Sequence, residues 1–570
     1  MCGISGMLGH PDRNVLQRMN QLLAHRGPDG KGIFIDDKCG LGHTRLAIVD
    51  IEGSPQPIHG PGKVAVVNGE IYNYKSLKRT GYNYQTNGDS EVILSQHIGK
   101  GSAKDHARWI SELDGMFAFA IWADEQLILA RDPVGVKPLV RTIAGNNLLF
   151  ASEAKALRGC DQYTPKIDNI ALKARIAWEY PLDATTLFAD VFQVRPGTVE
   201  VWELIDGMPK LTSSCRFKAP KISPDNTWDS PEKLLESFTL SVSDRLMSDV
   251  PVGIVLSGGL DSSLVCAVAR EAAEIAEQPV PACWTVAESE DNPDWKAAEL
   301  VAKSLDLQHN QHILDPELFE KKLPDLCWHG EDLDVTVLFF QPLFAKMSES
   351  VTVGLCGQGA DELHAGYPRY KNLNEHKKLV RGRLDDMNFD LSNLTGQAWW
   401  DGNHNPENHT QSLEKFLQFE LDNGQLSNFQ LRLVDRHSMA NGLEVRVPFL
   451  GSRHLSSSNK LPMHWKLPSD GLEKAALRRA AGLTNLPKEI VDRPKLPAGR
   501  ATSPKLIDSL IEELESYTLQ IAKRYPEIES ALLKQPEICI GLGLFESMHI
   551  LDRGFRKRKG TATDLLEELI

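Results

Sequence analysis

Two stretches carry residue types that do chemistry. The first is the start of the chain, Met1-Cys2-Gly3-Ile4-Ser5-Gly6. Methionine aminopeptidase removes Met1 ahead of a residue as small as cysteine. Cys2 then carries both a thiol and a free α-amine. Such an amine has a pKa of roughly 7.7–8.0, so near neutral pH it can take the thiol proton. That is the logic of a nucleophile activated by an N-terminal amine. The second stretch is Ser257-Gly258-Gly259-Leu260-Asp261-Ser262-Ser263. A Gly-rich turn between a strand and a helix aims backbone N–H groups and a helix N-terminus outward, which suits phosphate. The hydroxyls of Ser257, Ser262 and Ser263 add donors. Asp261 makes sense in an anion site if it holds Mg²⁺ that the phosphates also bind. Taken singly, Cys2 also fits a chance residue in a frayed terminus, and the Gly-rich turn a mere tight connection.

The flanking elements decide whether these residues are positioned. Up to about residue 205 the chain is rich in short β-like runs bounded by Gly, Asn, Asp or Pro. Examples are Lys63 to Gly69, Gly115 to Trp122, Gln126 to Arg131 and Asn147 to Ser152. Residues 206–230 lack periodicity and hold Gly207, Pro209, Pro220 and Pro224, so they read as a linker. Beyond it the pattern changes. Leu234, Leu235, Phe238, Val242 and Leu246 follow helical spacing. Val252 to Leu256 forms a continuous apolar run, as in a buried parallel strand. Pro281 to Val286 and Val351 to Cys356 are two further strands, and helical spacing fills the segments between. Strands alternating with helices predict a parallel α/β sheet. The SGGLDSS stretch then falls at the carboxyl end of a strand, where ligands bind in such sheets. From about residue 410 the pattern is mostly helical.

Composition restricts the function class. The chain has 570 residues, more than one core accommodates. Its net charge of −14 argues against a nucleic-acid partner. The nine cysteines form no C-x-x-C pair, so neither a zinc ribbon nor a redox dithiol is signalled, and a reducing compartment is expected. No secretory h-region is present, and no apolar run approaches the ~20 residues needed to span a bilayer. A soluble cytoplasmic enzyme without a membrane partner is the expectation. The sequons at Asn393 and Asn408 are then chance matches.

Ser-Gly-Gly-x-Asp-Ser-Ser resembles the loop of ATP pyrophosphatases, which split ATP into AMP and pyrophosphate. Beside an N-terminal cysteine, it makes the chain resemble the glutamine-hydrolysing asparagine synthetase family over almost its full length. The first half carries the family's glutaminase blocks in order: His25-Arg26-Gly27-Pro28-Asp29-Gly30, His43 to Asp50, Asn68-Gly69-Glu70-Ile71-Tyr72-Asn73-Tyr74, Gly88 to Leu94 and Arg131 to Leu139. The second half adds Cys356-Gly357-Gln358-Gly359-Ala360-Asp361-Glu362, Leu431 to Ala440 and Leu443 to Leu450. The resemblance implies an N-terminal αββα sandwich of antiparallel sheets at 1–205. It implies a parallel-sheet α/β nucleotide domain with helical additions at 231–570. A homodimer acting on glutamine, aspartate and ATP, with Mg²⁺, is implied too.

The resemblance also implies roles. Cys2 attacks the glutamine amide, with Asn68 and Gly69 as the oxyanion hole. Arg45 pairs with the glutamine carboxylate, while Glu70 and Asp89 accept from its ammonium. ATP is held by Leu256, Ser257, Gly258, Gly259, Asp261, Ser262, Ser263, Val286, Cys356 and Gly357. Asp261 and Asp361 share Mg²⁺, Lys474 reaches the reacting phosphate, and Met116 lies along an apolar ammonia passage. Two departures stand out. Many members carry Glu where this chain has Gln358, and Arg where it has Phe339. Glu444 is a candidate to supply the missing carboxylate, as its counterpart does in β-lactam synthetases. Two alternatives stay open: an amidotransferase acting on another carboxylate, and a cyclising synthetase with a retired first half. The intact Cys2, Arg45, Asn68, Gly69, Glu70 and Asp89 argue against the second.

Overall fold

The computed structural model describes residues 2–225, 227–228, 230–337, 339–389, 409–469, 471–496, 502, 504–552 and 560–570. Met1 and the two sequon asparagines lie outside them. In the first half, twelve strands form two six-stranded sheets. They are β1 (Gly3–Leu8), β2 (Gly30–Ile35), β3 (Cys39–Arg45), β4 (Ile58–Gly60), β5 (Lys63–Ile71), β6 (Gly115–Ala123), β7 (Gln126–Arg131), β8 (Val140–Ala144), β9 (Asn147–Ala151), β10 (Phe192–Gln193), β11 (Thr198–Ile205) and β12 (Met208–Arg216). One sheet runs β10-β8-β9-β1-β3-β2 and the other β12-β11-β7-β6-β5-β4, with antiparallel neighbours throughout.

Strand alternation builds the layers. On β6, Ala118, Ala120 and Trp122 face the other sheet and pack with Ile4, Leu8, Val66 and Phe150. Phe117, Phe119 and Ile121 face outward and are covered by helix Ala103–Ile110 through Ala107 and Trp109. That helix starts at a capping box between Ser102 and Asp105. Helix α1 (Arg13–Leu22), capped by Asp12, lays Val15, Leu16 and Met19 on the opposite sheet. The result is the αββα sandwich. Cys2 sits just ahead of β1, a central strand that pairs with both β3 and β9.

Part of the stretch read as a linker is strand. Met208–Arg216 pairs with β11 through a tight turn at Asp206-Gly207, where φ is 54° and 74°. An Asp-Gly pair with positive φ at both positions is a strong hairpin signal. The outer strand is polar and largely exposed, so no apolar run marked it.

The second half is built on a five-stranded parallel sheet ordered β15-β14-β13-β16-β17. The strands are β13 (Val252–Val255), β14 (Ala282–Ala287), β15 (His309–Ile313), β16 (Val353–Leu355) and β17 (Glu444–Arg446). The chain leaves β13 toward β14 and β15, then returns to the other side for β16 and β17. The switch point therefore lies between β13 and β16, where the loops after neighbouring strands diverge and leave a crevice. Helices α2 (Pro231–Asp244), α3 (Leu260–Ala276) and α4 (Pro293–Ser304) cover one face. Helices α5 (Phe340–Ser348) and α6 (Leu431–Met439) cover the other, and the C-terminal helices pack into the same core. Among the described residues no helix is long and apolar enough to cross a membrane.

Candidate active sites

Cys2 lies at the seam between the halves and is 7% exposed. Its N–H donates to Asn68 Oδ1 at 3.1 Å, and its Sγ is 4.0 Å from the Leu46 carbonyl. Burial pushes the thiol pKa up, and the nearby Glu70 and Glu444 carboxylates push the same way. A thiol held protonated needs a base, the part assigned to its own amine. Asn68, on β5, is fully buried, and its Nδ2 finds no hydrogen-bond partner among the described residues. A buried, unsatisfied amide beside a nucleophile is a donor without its acceptor, which an oxyanion would supply. Gly69 follows with φ of +146°, and a Cβ there would lie 1.9 Å from the Met116 carbonyl oxygen. Only glycine allows β5 to turn its backbone at this point. Asn68→Ala is expected to lower the kcat of glutamine hydrolysis about 10²–10³-fold, measured as glutamate release.

Arg45 ends β3, and its guanidinium donates to the carbonyls of Asp50 and Ile51 at 2.8 and 2.5 Å. These bonds brace the loop beside Cys2. Asp89 is 5% exposed and accepts from the Ile71 N–H at 2.7 Å. Burial raises its carboxyl to about 6. In the role expected of it, Asp89 would hold the glutamine ammonium as a carboxylate, so protonation would compete with substrate. The KM for glutamine is therefore expected to rise as pH falls through about 6, a limb that Asp89→Asn should remove.

Glu70, read as a second ammonium acceptor, has its Oε2 buried with no hydrogen-bond partner among the described residues. It is buried, its Oε1 is 3.8 Å from Arg446 Nη2, and burial raises its pKa well above the usual range, with Asp89 and Glu444 adding to the rise. Its side chain belongs to the seam with β17. Met116 also faces the seam. With Val134, Val136, Val447 and Leu450 it lines a mostly apolar cleft of about 140 Å³ between the halves.

The second site forms at the switch point. The loop after β13 is tied internally: Ser257 N–H donates to Ser262 Oγ at 3.1 Å, and the two hydroxyls are 3.0 Å apart. Ser263 Oγ is buried without a partner among the described residues. Gly258 and Gly259 lead into α3. Gly357, after β16, lets the second loop touch the first, since a Cβ there would lie 2.9 Å from Asp261 Cβ and Ser262 N. This contact brings Asp261 and Asp361 together. Lys474 Nζ lies 2.7 and 2.6 Å from the two Asp261 carboxylate oxygens and 2.5 Å from Asp361 Oδ1. Lys474 holds a left-handed backbone with φ of 62°, a strained conformation of the kind found where a side chain must be aimed. Burial opposes ionisation of Asp361, yet the Lys474 and Lys495 ammoniums hold its carboxyl far below the ordinary range.

Lys495 was not singled out in the sequence. Its Nζ is 2.7 Å from Asp361 and 3.7 Å from Asp261. It is delivered by Arg493-Pro494-Lys495, with Arg493 donating to the Gly258 carbonyl at 2.9 Å. Among the described residues no group of three or more His, Cys, Asp or Glu side chains is arranged to hold a metal. Two converging carboxylates still fit Mg²⁺, which takes its other oxygens from phosphate and water.

The remaining candidates divide. Val286 lines an apolar cavity of about 180 Å³ with Leu314, Pro342 and Ala345. The Leu256 side chain packs into the core beneath α3, on the other face of the sheet. Cys356 is buried, which pushes its thiol up to about 12 and leaves it inert. Glu444 is not brought to the phosphate loops. It pairs in register with Val353, at the amino end of the sheet, and is fully buried against Arg446 at 2.5 Å. It sits beside Glu70 and Lys137, on the side of Cys2. A motif position alone does not reveal which end of a strand it occupies.

Comparisons with known proteins agree with this geometry. Residues 1–208 match the family described as "Glutamine amidotransferase domain", and residues 233–534 match "Asparagine synthase". The glutamine-hydrolysing asparagine synthetase 1 of Bacillus subtilis is 30% identical over 566 residues, covering 87% of this chain and 86% of that one. The rat and human glutamine-hydrolysing asparagine synthetases are 31% and 30% identical over 529 residues, covering 87% of this chain and 83% of theirs. With both family domains in order and relatives matched along most of their length, the chain belongs to the glutamine-hydrolysing asparagine synthetase family.

Proposed function

We propose that the chain makes L-asparagine from L-aspartate with glutamine as nitrogen donor, converting ATP to AMP and pyrophosphate. The observation that carries this reading is the convergence of Asp261, Asp361, Lys474 and Lys495 at the switch point. It stands in one chain with the Cys2–Asn68 pair. A glutaminase at 1–205 and a synthetase at 231–570, working as a cytoplasmic homodimer, complete the reading.

In the first half, Cys2 Sγ attacks the side-chain amide of glutamine while its α-amine takes the thiol proton. Asn68 Nδ2 and the Gly69 N–H hold the developing oxyanion. Arg45 and Asp89 grip the α-carboxylate and α-ammonium. Ammonia leaves, and water hydrolyses the γ-glutamyl thioester. In the second half, the 257–263 loop cradles the ATP phosphates. The aspartate side-chain carboxylate attacks the α-phosphorus, giving β-aspartyl-AMP. Lys474 and Lys495 stabilise the charge building on the departing pyrophosphate. Asp261 and Asp361 would hold Mg²⁺, which when bound would supply further positive charge to those phosphates. Ammonia then displaces AMP from the acyl carbon. The cleft beside Met116 favours neutral ammonia over hydrated ammonium.

The test is incubation with glutamine, Mg-ATP and L-aspartate, following asparagine and pyrophosphate together. Equal amounts, lost without glutamine and restored by ammonium, are expected. Glutamate release without asparagine would move the acceptor to another carboxylate. Two positions point that way: Phe339 is packed on Phe340 with ring centroids 4.4 Å apart, and Gln358 Nε2 donates to Gln430 Oε1 at 3.1 Å.

A further inference from the structure

One buried guanidinium joins the nucleophile to the other half of the molecule. Arg26 is fully buried. Its Nε donates to the Cys2 carbonyl at 3.1 Å. Its Nη1 donates to Glu153 Oε1 at 2.7 Å and to Asp435 Oδ2 at 2.8 Å, and its Nη2 to Asp435 Oδ1 at 3.2 Å. Asp435 lies 409 residues further along the chain, on α6 of the synthetase half.

The two carboxylates do not hold Arg26 equally. Glu153 is divided among several donors: Lys155, Arg436 Nη1 at 3.0 Å and His25 Nε2 at 3.0 Å compete with Arg26 for it. Asp435 gives both its oxygens to Arg26, with Lys137 4.0 Å away as a further cation. Two parallel bonds fix the plane of the guanidinium fork. The plane fixes where Nε points, and Nε holds the Cys2 carbonyl. The orientation of the nucleophile thus depends on a residue of the synthetase half. Helix α6 also reports on its own side. Its His437 Nδ1 is 3.4 Å from Gln341 Nε2, and its ring stacks near Phe340 on α5, next to the segment that carries Phe339.

We propose that Asp435 is a positioning residue for Cys2, so that glutamine is hydrolysed at full rate only while α6 of the synthetase half holds Arg26 in place. The proposal rests on the glutaminase reading of Cys2. It adds a device by which one half licenses the other without touching glutamine.

The test compares the full chain with Asp435→Asn and Asp435→Glu. Glutamine hydrolysis is resolved into kcat and KM, and ammonia-fed asparagine synthesis is measured on the same preparations. Asp435→Asn should lower the kcat of hydrolysis by about tenfold or more. The KM for glutamine should change little, because Arg45 and Asp89 are untouched, and ammonia-fed synthesis should persist. Asp435→Glu keeps the charge but shifts it by one methylene, so it should lower the same kcat to a smaller extent. Should Asp435→Asn fail to fold, the selective loss in Asp435→Glu decides. Unchanged hydrolysis in a folded variant would overturn the proposal. So would an equal fall in hydrolysis and ammonia-fed synthesis, which marks general damage. Absence of glutaminase activity in the unsubstituted chain would overturn the functional reading itself.

Discussion

Cys2→Ala should abolish glutamine hydrolysis, by roughly 10⁴-fold or more, and leave ammonia-fed asparagine formation intact. The side chain lost is a single sulfur, 7% exposed, with no large packing role. The backbone carbonyl that Arg26 holds is retained, as is the N–H to Asn68. The fold therefore has little reason to respond, while the bond-forming atom is gone. No nearby nucleophile replaces it, because Ser5 Oγ is engaged with Asn20 and Thr44 Oγ1 with the Leu23 carbonyl. The measurement is asparagine formed with glutamine and with ammonium in parallel. Equal losses with both donors would show that Cys2 acts on the structure rather than on glutamine.

Asp361→Asn should have the opposite selectivity. Asp261 and Asp361 together face Lys474 and Lys495. Removing one carboxylate charge leaves two ammoniums around Asp261 alone and takes away one of the two carboxylates proposed to hold Mg²⁺. Adenylate formation, followed as pyrophosphate release, should fall by about 10²–10³-fold. Glutamine hydrolysis in the same preparation should continue, since Cys2, Asn68 and Asp89 lie at the other end of the sheet. Retained pyrophosphate release would remove Asp361 from the nucleotide site.

The chemistry-bearing residues were more legible in the sequence than the elements around them. Apolar runs disclosed β13, β14 and β16, because strands buried on both faces are continuously hydrophobic. The same criterion passed over β15 and β17. His309–Ile313 is an edge strand of mostly polar residues that pairs on one side only. Glu444–Arg446 carries two charges that are buried because they neutralise each other. Charge in a sequence says nothing of whether a partner waits in the fold. Lys495 was invisible for a similar reason: an isolated lysine after a proline reads as a solvated loop until Asp361 is seen beside it. Arg26 lay within a recognised block, yet its partner Asp435 is 409 residues away, a separation that no local pattern spans.

The shortness of β16 and β17 has a consequence for transport. Each has three residues, a span of about 10 Å. The amino ends of these strands abut the glutaminase loops, where Leu46 and Ile48 pack with Val353 and Met439. Their carboxyl ends open directly onto Cys356 and the phosphate loops, with the Cys356 N–H on the Arg446 carbonyl at 3.0 Å. Along the strand direction only these few residues separate the two sets of loops, so in the proposed reaction their length bounds how far a freed ammonia must travel. Lengthening either strand by a pleat would make a better-paired sheet and a longer corridor. In the proposed reaction, strand length is a dimension of the delivery route as much as of the fold.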